Sequence, residues 1–198
     1  MDPYSVLPNK LIEKAGPVSK TFLNLGIRDF HGGCRYVHGL PYGYNSNRDD
    51  LMTLFEEKMG SCTTKHAVIA TLAAELKLDV VKHIGIYAMT EALVSGTQKI
   101  LNTYGLPYVP MIHCFLVYEA FSIDLTEGNR NGKNGPIDHF FFTAKVTPNI
   151  SGKEEYLLYR KALADHILQR KELAGVSMKI ILKAREEGLA LLRENIGR

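Results

Sequence analysis

Between Cys62 and Leu76 the residues Ala67, Val68, Ala70, Leu72, Ala73, Ala74 and Leu76 fall on most sides of a helix. A helix that is apolar nearly all round cannot lie on a surface, so the rest of the chain has to enclose it. Its start is marked by Met59-Gly60-Ser61-Cys62-Thr63-Thr64-Lys65. Gly60 permits a sharp turn and close backbone approach, and Ser61 or Thr63 can cap the helix. A thiol at Cys62 then sits where unpaired N–H groups and the positive end of the helix dipole favour an anion. That environment favours the thiolate, which is the nucleophilic form of cysteine.

Around this helix the chain alternates between element types. A helix is expected over about Asn9 to Asn24, interrupted at Gly16-Pro17. The Gly-, Asn- and Tyr-rich stretch from His31 to Asn47 reads as an extended loop near a site. Asp49 or Asp50 is placed to cap a short helix ending at Glu57. Asp79 to Met89 reads as a strand, and Thr90 to Tyr104 as a segment with a short helix. Met111 to Thr126 reads as two strands joined near Glu119-Ala120, followed by a polar loop from Glu127 to Pro136. Phe140 to Val146 is a further strand. From Lys153 the chain is charged, helical and amphipathic, with a break at Gly175. Its apolar positions Leu173, Val176, Ile180, Ile181, Ala184, Leu189 and Leu192 have helical spacing. They suit a core-covering face or a homodimer face.

A histidine opens the first strand of the hairpin, in His113-Cys114-Phe115-Leu116-Val117-Tyr118, and an aspartate lies in the second, in Phe121-Ser122-Ile123-Asp124-Leu125-Thr126. A strand-borne histidine and a neighbouring aspartate can meet a helix-start cysteine and form a Cys-His-Asp relay. In such a relay Cys62 attacks a carbonyl as thiolate. His113 pairs with the thiolate and then protonates the leaving group, and Asp124 orients the imidazole. The oxyanion needs donors. The Cys62 N–H is one, and Tyr44, Asn45 or Asn47 from the preceding loop supplies another.

These motifs resemble the transglutaminase-like superfamily of papain-type cysteine hydrolases and acyl transferases. That family's nucleophile sits in a Gly-x-Cys element opening a buried helix. Its histidine opens a strand, and its acid lies on the next. Gly60-Ser61-Cys62, His113 and Asp124-Leu125-Thr126 match in that order, over about residues 45 to 126. The resemblance implies an α+β fold. A central nucleophile-bearing helix packs on an antiparallel β-sheet, with added N- and C-terminal helices. It implies acyl chemistry on an amide through a thioester, without a cofactor. One domain over 1–198 is expected, with a core at about 45–146 and a C-terminal helical extension at about 153–198.

Several alternatives stand beside this reading. His66 lies one turn from Cys62 on the same face and is a second candidate base. Glu119 and Asp138 are alternative acids. His31-x2-Cys34-x3-His38, completed by Cys62 or His66, has spacing that can seat zinc. The chain has no Trp, where the family usually carries one beside its triad. With the apolar C-terminal helices, this points to a non-catalytic binding or assembly module.

The remaining composition excludes more than it selects. A net charge of +3 without a basic run gives no footprint for nucleic acid. No apolar stretch approaches the roughly 20 residues that cross a bilayer. No signal-peptide pattern opens the chain, and an odd number of cysteines, 3, makes no disulfide framework. A cytoplasmic protein acting on a peptide, protein or small amide is the expectation.

Overall fold

A computed structural model describes residues 3–137 and 139–197. Among these the elements run α1 (Pro17–Asn24), α2 (Phe30–Gly39), α3 (Thr53–Glu57), α4 (Cys62–Glu75), β1 (Val81–Met89), α5 (Thr97–Tyr104), β2 (Val109–Tyr118), β3 (Phe121–Ile123), β4 (Phe142–Lys145), α6 (Gly152–Ala162) and α7 (Met178–Asn195). The strands form one sheet in the order β3-β2-β1-β4. Helices and a sheet of this kind make an α+β architecture. β2 and β3 are antiparallel, with Leu116 opposite Ile123 and Tyr118 opposite Phe121. Glu119 makes the tight turn between them at φ 51. β4 adjoins β1 through Phe141 N–H to Ile86 O and Val146 N–H to Lys82 O. The numbers rise on one strand as they fall on the other, so this pairing is antiparallel too.

The chain divides into two compact units. The first holds the chain up to His83, Cys114–Asn129 and Lys145–Ser151. Its core gathers Phe22, Phe30, Leu54, Val68, Ile69, Leu72, Leu116 and Ile123. α1 and α2 both pack on α4. Within α4 only Ala74 is exposed, with Thr63, Thr71 and Glu75 half-buried, as a helix apolar on most sides requires.

Two segments of this unit differ from the sequence reading. The expected helix over about Asn9 to Asn24 begins only at Pro17, a residue preorganised for a first helical position. Residues before it run extended instead. Ile12 N–H bonds Arg28 O and Phe30 N–H bonds Lys10 O. Residues 30–39, expected as extended loop, form α2. The Asp29 carboxylate caps it by accepting from Gly32 N–H at 2.8 Å, and Phe30, Cys34 and Val37 turn one face into the core. A Cβ on Gly33 would lie 3.0 Å from Leu72 Cδ2. This glycine therefore brings α2 close to α4 rather than breaking a helix.

The second unit comprises Ile84–His113, Arg130–Ala144 and the chain from Gly152 onward. Its core includes Tyr87, Met89, Tyr159, Leu163, Ile167, Ile181 and Ala184. α5 packs on α7. α6 passes into a π-turn at Leu163–Ile167. A 3-10 turn at Lys171–Leu173 and Gly175 at φ 79 then lead to α7. Leu173, Ile181, Ala184 and Leu192 are buried in this core, with Val176, Ile180 and Leu189 packed against it. These apolar C-terminal positions are thus used within their own unit. Among the described residues no helix is long and apolar enough to cross a membrane.

Candidate functional site

Cys62 is the first helical residue of α4, and the chain reaches it through a tight approach at Gly60. Gly60 N–H bonds Pro41 O at 3.2 Å, and Gly43 N–H bonds Gly60 O at 3.3 Å. Residues 41–43 thus run alongside Gly60, bridged in parallel at Tyr42. A Cβ on Gly60 would lie 2.8 Å from Thr64 Oγ1 and 2.9 Å from Leu54 Cδ1. Space, and not an unusual φ, is what demands glycine here. Ser61 occupies the N-cap position with extended backbone, but its side chain makes no capping bond. None of the three cysteines forms a disulfide. Cys62 is 9% exposed, whereas Cys34 and Cys114 are at 0%.

The four residues after Cys62 each hold a different segment of the first unit. Thr63 receives the Cys114 thiol on its hydroxyl at 3.7 Å and the Lys82 ammonium on its carbonyl at 3.1 Å. The Thr64 hydroxyl donates to Asn45 Oδ1 at 2.7 Å. The Lys65 ammonium, with no exposed surface, directs its donors to His38 O (3.2 Å), Leu40 O (2.5 Å) and Asn129 Oδ1 (2.5 Å). Burial pulls Lys65 down to about 8, while the nearby Asp124 charge acts in the opposite direction.

His66 completes the series. Its Nε2 accepts the Leu125 N–H at 2.8 Å. A nitrogen that accepts carries no proton, so the ring proton is assigned to Nδ1. Nδ1 donates it to Cys62 O at 2.6 Å. Asp124 Oδ1 lies 3.5 Å from Nε2. With Nε2 unprotonated this approach is not an ion pair. Oδ1 instead accepts from Thr126 N–H at 2.8 Å and Thr126 Oγ1 at 2.7 Å, an Asx turn that fixes the carboxylate. The imidazole is fully buried. With both ring nitrogens bonded it has no free lone pair to serve as a base.

The remaining residues singled out in the sequence are placed as follows. Asp124 shares the first unit with Cys62 and lies just past the end of β3 rather than on it, while His113 sits in the middle of β2 rather than opening it, as the last β2 residue of the second unit. His113 is 2% exposed, and its ring stands edge-on to Tyr87 at 6.4 Å. Asn45 donates to Glu57 Oε2 at 2.9 Å and Met59 O at 3.0 Å. Both amide N–H groups thus close the loop ahead of α4. Bonds from the Ser46 hydroxyl, the Asn45 amide and the Ser46 N–H hold the Glu57 carboxyl below its ordinary range. Asn47 turns its Oδ1 to Asp49 N–H. Tyr44 is exposed, with its ring edge-on to Tyr42.

Glu119 sits exposed in the hairpin turn, where its carboxylate bonds the Tyr118 hydroxyl. Asp138 lies outside the described residues. His31, Cys34 and His38 all fall on α2. His31 Nε2 bonds Leu7 O, Cys34 is in the core, and the His38 ring bonds the Tyr4 hydroxyl and Glu127 O. Among the described residues no three His, Cys, Asp or Glu side chains group to hold a metal. Lys65, and the structural use of His66, escaped the sequence reading. The one signal available was their helical spacing from Cys62. Searches of protein-family models, curated proteins and solved structures return no match to this chain.

Proposed function

We propose that the protein performs thiol-dependent acyl chemistry on an amide or peptide, with Cys62 as nucleophile, His113 as proton carrier and Asp124 as its orienting acid. The observation that carries the reading is the placement of Cys62. It opens a buried helix of 14 residues whose N-cap Ser61 makes no side-chain capping bond, and it is the most exposed of the three thiols. Such a position stabilises a thiolate. Two further points support it. Asp124 is held rigidly in the same unit as Cys62. His38 and His66 have both ring nitrogens hydrogen-bonded elsewhere, so neither competes with His113 for the role of base.

The chemistry follows in two steps. The Cys62 thiolate attacks the amide carbonyl, and the C–N bond breaks as the His113 imidazolium protonates the departing amine. A thioester remains on Cys62. Water, deprotonated by His113, then attacks it and releases the carboxylic acid and the thiol. An amine in place of water gives acyl transfer. The Cys62 N–H is the first candidate oxyanion donor. Of the loop residues, Asn45 is the weakest candidate for the second, because its amide donors are spent on Glu57 and Met59; Tyr44 and Asn47 are the other two candidates. Hydrolysis is the preferred outcome, since nothing in the chain marks an acceptor site. The reaction needs no cofactor.

An activated ester tests this directly. With p-nitrophenyl acetate the wild type is expected to give a burst of p-nitrophenol and an acetyl group on the Cys62 peptide, cleaved by hydroxylamine. Cys62→Ser is expected to give neither. An equal rate of nitrophenol release from the two proteins, with no acetylated Cys62, would exclude the thioester route.

A further inference from the structure

His66 joins the backbone of the nucleophile residue to the backbone of the acid's neighbour. Its Nδ1–H holds Cys62 O at 2.6 Å, and its Nε2 holds the Leu125 N–H at 2.8 Å. The Leu125 N–H belongs to the peptide that follows Asp124, so its direction sets the orientation of the Asp124 backbone. The Asx turn to Thr126 then sets the carboxylate on that backbone. The residue is fully buried, so no water competes for either nitrogen. A hydrophobic residue of similar size would fill the space, yet the position carries an imidazole that satisfies one donor and one acceptor on two distant segments.

We infer that His66 is a positioning residue of the Cys62 site, acting through Asp124 by holding the Leu125 peptide against the first turn of α4. The inference rests on the acyl-chemistry reading, because it assigns His66 a share in the activation of Cys62. It does not make His66 a proton carrier. The ring stays neutral, with its proton on Nδ1, throughout the reaction.

Isosteric replacements separate the two bonds. The amide of Asn reaches the position of Nδ1, and that of Gln reaches the position of Nε2. His66→Gln therefore preserves an acceptor for Leu125 N–H, and His66→Asn removes it. The experiment is the pH profile of Cys62 alkylation by iodoacetamide in the full chain. Circular dichroism and urea denaturation establish that each variant is folded. Asp124→Asn is expected to raise the apparent Cys62 pKa by about one unit, which lowers the rate below that pKa about tenfold. His66→Asn is expected to reproduce most of that shift, and His66→Gln to stay near the wild type. In the double variant Asp124→Asn/His66→Asn the shift is expected to match Asp124→Asn alone, since one residue acts through the other.

A purely structural His66 would lower the urea midpoint in both variants without moving the profile, and that result overturns the inference. So does a double variant in which the two shifts add in full. A profile unmoved by Asp124→Asn would instead overturn the underlying acyl-chemistry reading. If His66→Asn does not fold, His66→Gln and its double variant with Asp124→Asn carry the test. A Gln variant shifted as far as Asp124→Asn then contradicts the role given to the Leu125 bond.

Discussion

A lysine with no exposed surface is costly unless each of its donors finds an acceptor. Lys65 meets that condition with His38 O, Leu40 O and Asn129 Oδ1. Lys65→Met keeps the volume and strands these three oxygens, so it is expected to lower stability by about 3 kcal/mol, read as a urea midpoint. His83 gives a second test at this scale. Burial, and then the Lys145 charge, lower its pKa from the ordinary histidine value of 6.5. The unfolded chain therefore takes up the proton first as pH falls. The stability linked to His83 is present above about pH 6.5 and is lost as pH drops through the lower folded value. His83→Gln is expected to flatten the fall in urea midpoint between about pH 7.5 and pH 5.5. A slope equal to that of the wild type would refute it. Spacing alone showed that His66 shares a helix face with Cys62. Whether its ring is a base or a fastening was illegible, because the deciding Leu125 N–H comes from 59 residues away.

Among the elements, α4 was legible because its apolar positions leave no polar face, and the β2–β3 hairpin because two apolar runs flank a short polar turn. α2 was not. Its glycines read as loop signals, yet Gly33 serves close packing on Leu72, a reason that exists only once α4 lies beside it. Gly60 was read correctly as a point of close approach. Gly60→Ala is expected to destabilise the fold by about 2 kcal/mol, since the added methyl meets Leu54 and Thr64. It is also expected to slow Cys62 alkylation by displacing the start of α4. α1 offers a complementary test. Its first-turn N–H groups at Val18 and Ser19 donate to the Glu75 carboxylate at 3.1 and 2.6 Å. Glu75→Ala is expected to cost about 1 kcal/mol by removing an anion from a helix N-terminus. An unchanged urea midpoint would show that these bonds contribute nothing.

At the scale of the whole molecule, the division into units was the least legible feature. Each unit is assembled from separated stretches, and β2 alone contributes Val109 and Met111 to one core and Leu116 to the other. Periodicity shows that a strand is apolar, but not which distant side chains meet it. The α+β class, by contrast, was expected from the resemblance carried by Gly60-Ser61-Cys62, His113 and Asp124, and the helices and antiparallel sheet agree with it. The distribution of thiols gives the account its sharpest global test, because none of the three cysteines is in a disulfide and all are buried, Cys62 at 9% exposure and the other two at 0%. The most direct measurement is the pH profile of iodoacetamide labelling, mapped by mass spectrometry in the wild type and in His113→Ala. The account expects Cys62 to label ahead of Cys34 and Cys114 and well below the ordinary thiol pKa of about 8.5, and to slow when His113 is removed. Labelling of Cys62 that follows an ordinary thiol profile, or that is indifferent to His113, would contradict it.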